Sequence, residues 1–257
     1  MNPAGVVHDT AVIAGRHVLH LRQTPSLLAL TIAQPALFVV LFTYGFGGAI
    51  HPPGVRHYID YLLPGIIVLA VAFGSSQTGT AFAEDAANGT TDRLRTLPIA
   101  RAAIFAGRSL ADTARNLFVI AFMTALGTAL GFRSHRGVID AIVAVGLVLA
   151  LGLAFSWLSA LIGLSVRSPE TAQVATLLLV IPLAFTSSMF VPIATMPTWL
   201  RIFARANPVT RTVDAVRALT LPSGPNGAIG PAVAWSLILL AVAVPATIAK
   251  DRRPTNG

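Results

Sequence analysis

Charged side chains are scarce in this 257-residue chain, 11% of the total, and they gather in one place. Residues 83–108, AEDAANGTTDRLRTLPIARAAIFAGR, hold Glu84, Asp85 and Asp92 beside Arg93, Arg95, Arg101 and Arg108, between two strongly apolar stretches. Carboxylates near a glycine and arginines, with Asp112 just beyond, are the residue types of metal-dependent phosphotransfer. Two-metal chemistry needs paired carboxylates facing a second such pair, and no two Asp residues here, three or four apart, face another such pair. The histidine-containing stretches offer no pair of histidines with a carboxylate in helical register, so no metal site is expected. The glycine pattern with Lys-Ser/Thr that cradles nucleotide phosphates is absent. What remains is charge-assisted bonding to another protein. Asp85, Asp92, Arg93 and Arg95 supply the charges, Gly89 permits a tight turn, and Pro98 limits the helix that follows.

The rest of the chain must hold that segment in place, and its composition says in what solvent. It is 54% hydrophobic with a mean hydropathy of +0.74. Soluble domains carry about 25% charged residues, so this chain has too little polar surface for a water-soluble globule and reads as an all-α integral membrane protein. The net charge of +8 is spread between apolar runs rather than forming one basic face, so no nucleic-acid partner is expected. Cysteine is absent, which excludes disulfides and thiolate metal sites. Arginine outnumbers lysine seventeen to one, and with abundant Ala this points to a GC-rich bacterial genome.

Hydropathy predicts a single membrane domain, 1–257, with six spans. Residues 6–24 place Val7, Ala11, Ala14, Val18 and Leu21 on one helical face, with Arg16 among the polar residues opposite, as in a helix lying on a membrane surface. Span one covers 26–49, with Gln34-Pro35 in its interior, and it is read as an uncleaved first span. Span two covers 61–82, and Phe73, Gln77, Thr80 and Glu84 fall on one polar stripe, expected to face protein or a water-filled cavity. Spans three to five cover 110–132, 138–166 and 172–191. Residues 192–228 are irregular and proline-broken, with a short amphipathic helix around Trp199 to Arg205. Span six covers 229–249. With both termini inside, the inner segments hold eleven Lys and Arg and the outer segments seven, which puts residues 83–108 in the cytoplasm.

Several segments carry a resemblance. YLLPGI (61–66), EDAANGTTDRLRTLPIAR (84–101), GRSLAD (107–112), GFRSHRG (131–137), MPTWL (196–200), NPVT (207–210) and VDAVRAL (213–219) follow one another in an order and spacing similar to ABC-2-type transporter permeases of the daunorubicin-resistance group. The resemblance implies a six-span permease in the bacterial cytoplasmic membrane that pairs with a second permease, identical or homologous, and with two copies of a separate ATP-binding subunit. No cofactor is expected in this chain, ATP and Mg belonging to that partner. It implies that the surface helix, with Arg16 and Arg22, and the segment 83–108 touch the ATP-binding subunit. The coupling residues would be Glu84, Asp85, Gly89, Asp92, Arg93, Arg95, Pro98, Arg101, Gly107 and Arg108. A lipophilic substrate would pass Gln34, Phe73, Gln77, Thr80, Phe185, Ser187 and Ser188. Short re-entrant helices in 192–228 would cap the exit through Pro197, Trp199, Leu200, Asn207 and Pro208. Two other classes compete: a membrane-embedded lipid phosphotransferase, and a non-catalytic membrane scaffold.

Overall fold

Apolar runs of 15 to 25 residues, punctuated by Pro and Gly, leave the backbone one way to satisfy itself in lipid, the helix. The computed structural model describes residues 25–48, 55, 57–88, 101–166, 168–222, 224–225 and 227–251, with side chains described from Ile32 onward and, within the fourth helix, from Gly107 onward. Every regular element among them is helical. They are α1 (Pro25–Phe46), α2 (Tyr58–Gly74), α3 (Ser76–Ala87), α4 (Arg101–Ala129), α5 (Val138–Gly163), α6 (Pro169–Phe185), a 3-10 turn at Ile193–Thr195, α7 (Thr198–Ala206), α8 (Pro208–Thr220) and α9 (Ile229–Asp251). The surface helix expected at 6–24, with Arg16 and Arg22, lies outside the described residues, as do Gly89, Asp92, Arg93, Arg95 and Pro98.

α2 is the axis of the bundle. All of its residues except Phe73 are buried, and α1, α4, α5 and α8 pack around it. α5 is the second organiser, lying against α3, α8 and α9. Close approach of these helices is set by glycine. A Cβ on Gly163 would collide with the carbonyl oxygen of Gly79, and one on Gly65 would collide with Met189. Small residues of this kind supply the packing that hydrophobicity cannot supply between helices in lipid. The turn after α4 is made by Gly131 at φ +104°, a left-handed conformation that returns the Phe132 N–H to the Gly127 carbonyl at 2.8 Å. Ser168 caps α6 by accepting from the Thr171 N–H at 3.2 Å, with Pro169 in the first turn.

Among the described residues, three helices are long and apolar enough to cross a membrane: the α2–α3 unit Tyr58–Ala87, Val138–Gly163 and Ile229–Asp251. The expected span one is α1, Pro25–Phe46, apolar over its described side chains from Ile32 to Phe46, and the expected span five is the shorter apolar helix Pro169–Phe185. The expected third span lies within α4, whose apolarity is diluted by Asp112, Arg115 and Asn116, all turned inward and buried. Among the described residues, length and apolarity together mark three of the six expected spans. Span two is also longer than hydropathy draws it, and it is interrupted at Ser75. The region 192–228 holds two short helices, the amphipathic α7 and then α8, which is buried on nearly all sides.

Candidate coupling hairpin and polar core

Where α3 ends and α4 begins, two side chains from the charged segment meet. The Arg108 guanidinium lies 3.5 Å from the Asp85 carboxylate and 5.0 Å from the centre of the Phe82 ring. Gly107 is buried beside it, and Glu84 is exposed on the neighbouring face. The Asp85 side chain is 42% exposed, so this pair is worth only about 0.2–1 kcal/mol. Its role is geometric, tying the end of α3 to the first turns of α4. Arg101 starts α4, and its side chain lies outside the described set.

One turn deeper the chemistry is different. Asp112 and Arg115 on α4 form an ion pair at 3.4 Å, with both residues under 9% exposed. Thr78 donates to Asp112 at 2.6 Å. Arg115 donates to the Gly74 carbonyl at 2.9 Å, to Gln77 Oε1 at 3.1 Å and to Asn116 Oδ1 at 3.4 Å. These partners straddle the break at Ser75, so the arginine holds α2 and α3 together from the side. Gly74 leaves the room it needs, since a Cβ there would sit 3.3 Å from the guanidinium. Ser75 itself donates to the Ala72 carbonyl at 2.6 Å and lies 3.4 Å from the Ser159 hydroxyl of α5.

Along the α2–α3 unit, 94% buried through its most apolar stretch, one stripe opens outward. Phe73 and Thr80 are half-buried, and Gln77 and Glu84 are exposed, so the four residues of the expected polar stripe do share the face that the chain leaves uncovered. Gln34 is exposed on α1. Phe185 is 56% exposed and packs at a tilt against Phe190, which stacks on Phe42 of α1 at 4.8 Å.

A second buried arginine sits at the opposite end of α2. Arg217 on α8 donates to the carbonyls of Tyr61, Ser188 and Met189 at 2.8–3.0 Å, and its guanidinium lies 3.4 Å from the centre of the Tyr61 ring. Asp214 completes the group, 3.6 Å from Arg217 and accepting from the Ser188 hydroxyl at 2.7 Å. Tyr61 donates its own hydroxyl to the Ser188 carbonyl at 2.8 Å. The backbone after α6 has left its helix here, and Arg217 supplies the donors its carbonyls lack. Ser187 and Ser188 are thus buried and committed to bonds within the chain. Asn207 is also buried. It caps α8 by accepting from the Val209 N–H at 2.9 Å and donates to the Leu183 carbonyl at 2.6 Å, while Pro208 opens the helix. Pro197 precedes α7, Leu200 is half-buried, and Trp199 is 72% exposed.

A family model for the ABC-2 type transporter matches residues 8–221. The chain belongs to the ABC-2 type transporter family. Among similar proteins, a daunorubicin resistance ABC transporter permease of Streptomyces coeruleorubidus is 32% identical over 95% of this chain and 86% of its own length. A probable doxorubicin resistance ABC transporter permease of Mycobacterium tuberculosis is 28% identical over 88% of this chain and 82% of its own. A putative transport permease of Cyanophora paradoxa is 26% identical over 83% and 74%. The ABC-2 chain is accordingly a multi-pass membrane protein.

The two inward-turned ion pairs of this ABC-2 permease are absent from the residues expected to carry coupling, pathway or gate. Asp112, Arg115, Asp214 and Arg217 were visible as charges but not as partners. A signal was there: Asp-x-x-Arg occurs at both places in a chain nearly free of charge, three residues apart and so on one helical face. An ionisable pair inside a membrane domain is a functional candidate by default.

Proposed function

We propose that this chain is the permease subunit of an ATP-driven exporter that moves a lipophilic or amphipathic compound out across the bacterial cytoplasmic membrane. The observation that carries the proposal is the join between two features. The uncovered stripe Phe73–Gln77–Thr80–Glu84 runs along the α2–α3 unit and ends one residue before Asp85, which pairs with Arg108 at the root of the charged segment. A lever attached to that segment would act on the wall of a pathway without crossing other elements.

In this reading the chain has six spans with both termini in the cytoplasm. Residues 83–108 and the helix at 6–24 dock on the ATP-binding subunit, present in two copies, which holds ATP and Mg. The stripe faces a second permease across the transport cavity. ATP binding draws the two motor subunits together, and the coupling segments follow. The Asp112–Arg115 pair makes α3 and α4 move as one body. The cavity walls offer hydroxyls, one amide and apolar side chains, which suits an amphipathic cargo. The drug-resistance names of two relatives are consistent with such a cargo. Trp199 and Leu200 on α7, with Pro197, Asn207 and Pro208, shape the exit.

The test is co-reconstitution of the permease with its ATP-binding subunit, followed by ATP-dependent movement of a fluorescent amphipathic probe. Gln77→Leu should change which probes are moved while leaving the protein inserted. Divalent-metal-dependent transfer of a lipid headgroup by the purified chain would replace this reading with an enzyme. Binding of the partner without stimulated hydrolysis or transport would leave a scaffold.

A further inference from the structure

At the end of the bundle opposite the Asp85–Arg108 pair lies a cavity of about 470 Å³, within the size range of small-ligand sites. Three connections converge on it. His57 and Asp60 come from the entry to α2, Arg133 and His135 from the turn between α4 and α5, and Leu221 and Pro222 from the residues after α8. The walls are held by bonds from main-chain N–H groups, which leave the side chains of Arg133 and His135 uncommitted. The Arg133 N–H donates to Asp60 Oδ1 at 3.2 Å, and the His135 N–H donates to the Thr220 carbonyl at 3.1 Å.

The charges in this cavity are not paired with one another. Asp60 is 4% exposed, and the Arg133 N–H is its one hydrogen-bonding partner among the described residues. A buried carboxylate can accept about four hydrogen bonds and is costly to leave with few. The side chains of Arg133, His57 and His135 are exposed at the rim and make no hydrogen bond or ion pair among the described residues. A purely anionic ligand would meet Asp60 at the back of the cavity, and a purely cationic one would meet Arg133 at its mouth. A ligand carrying both charges satisfies both.

We propose that this cavity binds a zwitterion, a primary ammonium beside a phosphate. The ammonium donates to Asp60, the phosphate takes the planar donors of Arg133 with the imidazoles beside it, and the first carbons lie against Leu221 and Pro222. A quaternary ammonium has no N–H to give Asp60 and needs an aromatic cage, and no Phe, Tyr or Trp among the described residues lines this cavity. The ethanolamine headgroup of a membrane lipid and the same headgroup free in water share this chemistry.

The experiment is thermal unfolding of the purified full chain in detergent with added phosphatidylethanolamine, phosphatidylcholine, phosphatidylglycerol or soluble glycerophosphoethanolamine. Phosphatidylethanolamine raises the midpoint by at least roughly 3 °C more than the choline and glycerol lipids, as expected for a ligand that binds the folded state selectively. Glycerophosphoethanolamine giving the same rise identifies the free headgroup as sufficient, and a rise with the lipid alone identifies the lipid. Asp60→Asn keeps an acceptor for the Arg133 N–H and removes the ethanolamine preference. Arg133→Gln keeps the main-chain bond and weakens the ethanolamine effect about ten-fold in ligand concentration, which carries the test should Asp60→Asn not fold. Equal shifts for all lipids with the unaltered protein overturn the proposal. So does an undiminished ethanolamine preference in Asp60→Asn or Arg133→Gln.

Discussion

Removing the Arg115 guanidinium takes away three hydrogen bonds and one ion pair at once. In Arg115→Ala the Gly74 carbonyl loses its donor across the Ser75 break, Gln77 loses its anchor, and Asp112 keeps only the Thr78 hydroxyl. Breaking one side of a buried pair strands the other charge, and such losses run to about 3–5 kcal/mol. Arg115→Lys keeps the charge but has a point donor in place of a planar fork, so it cannot reach Gly74 and Gln77 together; the expected loss is about 1–2 kcal/mol. The double variant Asp112→Asn/Arg115→Met removes both charges, and replacing a buried pair by neutral groups of similar volume is often close to neutral. The two single losses should therefore not add, and the coupling energy read from the cycle should exceed about 2 kcal/mol. The assay is reversible unfolding in mixed micelles, followed by circular dichroism on the four proteins. A cycle in which the singles add to the double, or an Arg115→Ala protein as stable as the parent, would refute the placement of this pair as a buried clamp.

Arg217→Met should destabilise the fold by a similar amount, about 3–5 kcal/mol, and expose α8 to proteolysis. Tyr61→Phe, which removes only the bond to the Ser188 carbonyl, should cost about 1 kcal/mol. Gly163→Val should block the approach of α5 to α3 at the Gly79 carbonyl and lower the yield of folded protein, an overpacking loss of about 1–3 kcal/mol or more. Gly146→Ala, with open space around it, should be neutral or stabilising by up to about 1 kcal/mol through helix propensity. Melting temperatures of the pair separate a packing requirement from a general intolerance of substitution.

Much of the helix map can be read from hydropathy and punctuation. The expected fourth span begins at Val138 and the expected sixth at Ile229, and α5 and α9 begin at those residues. The amphipathic segment around Trp199 forms α7. These succeed because each depends on the residue types of its own stretch. What fails depends on partners. α8 carries Arg211, Asp214 and Arg217 in 13 residues and looks like a surface segment, yet Arg217 is 3% exposed because three main-chain carbonyls from two other segments wait for it. The break at Ser75 is equally silent, since Ser75 keeps helical backbone angles and its neighbours have no proline or unusual glycine conformation. Ser187 and Ser188 looked like hydroxyls free for a pathway, and tertiary contacts take them inward. That Phe73, Gln77, Thr80 and Glu84 share one face depends on helical spacing alone, and their half-buried or exposed state is set by the helices that pack on the rest of the unit.

The central claim, that residues 83–108 pass motion from a motor subunit to the pathway, is most directly tested by charge reversal within that segment. With Arg93 and Arg95 both changed to Glu, the co-reconstituted complex should keep its membrane insertion and lose ATP-dependent efflux. Efflux at the parental rate in that double variant, with normal ATP hydrolysis, would contradict the coupling role.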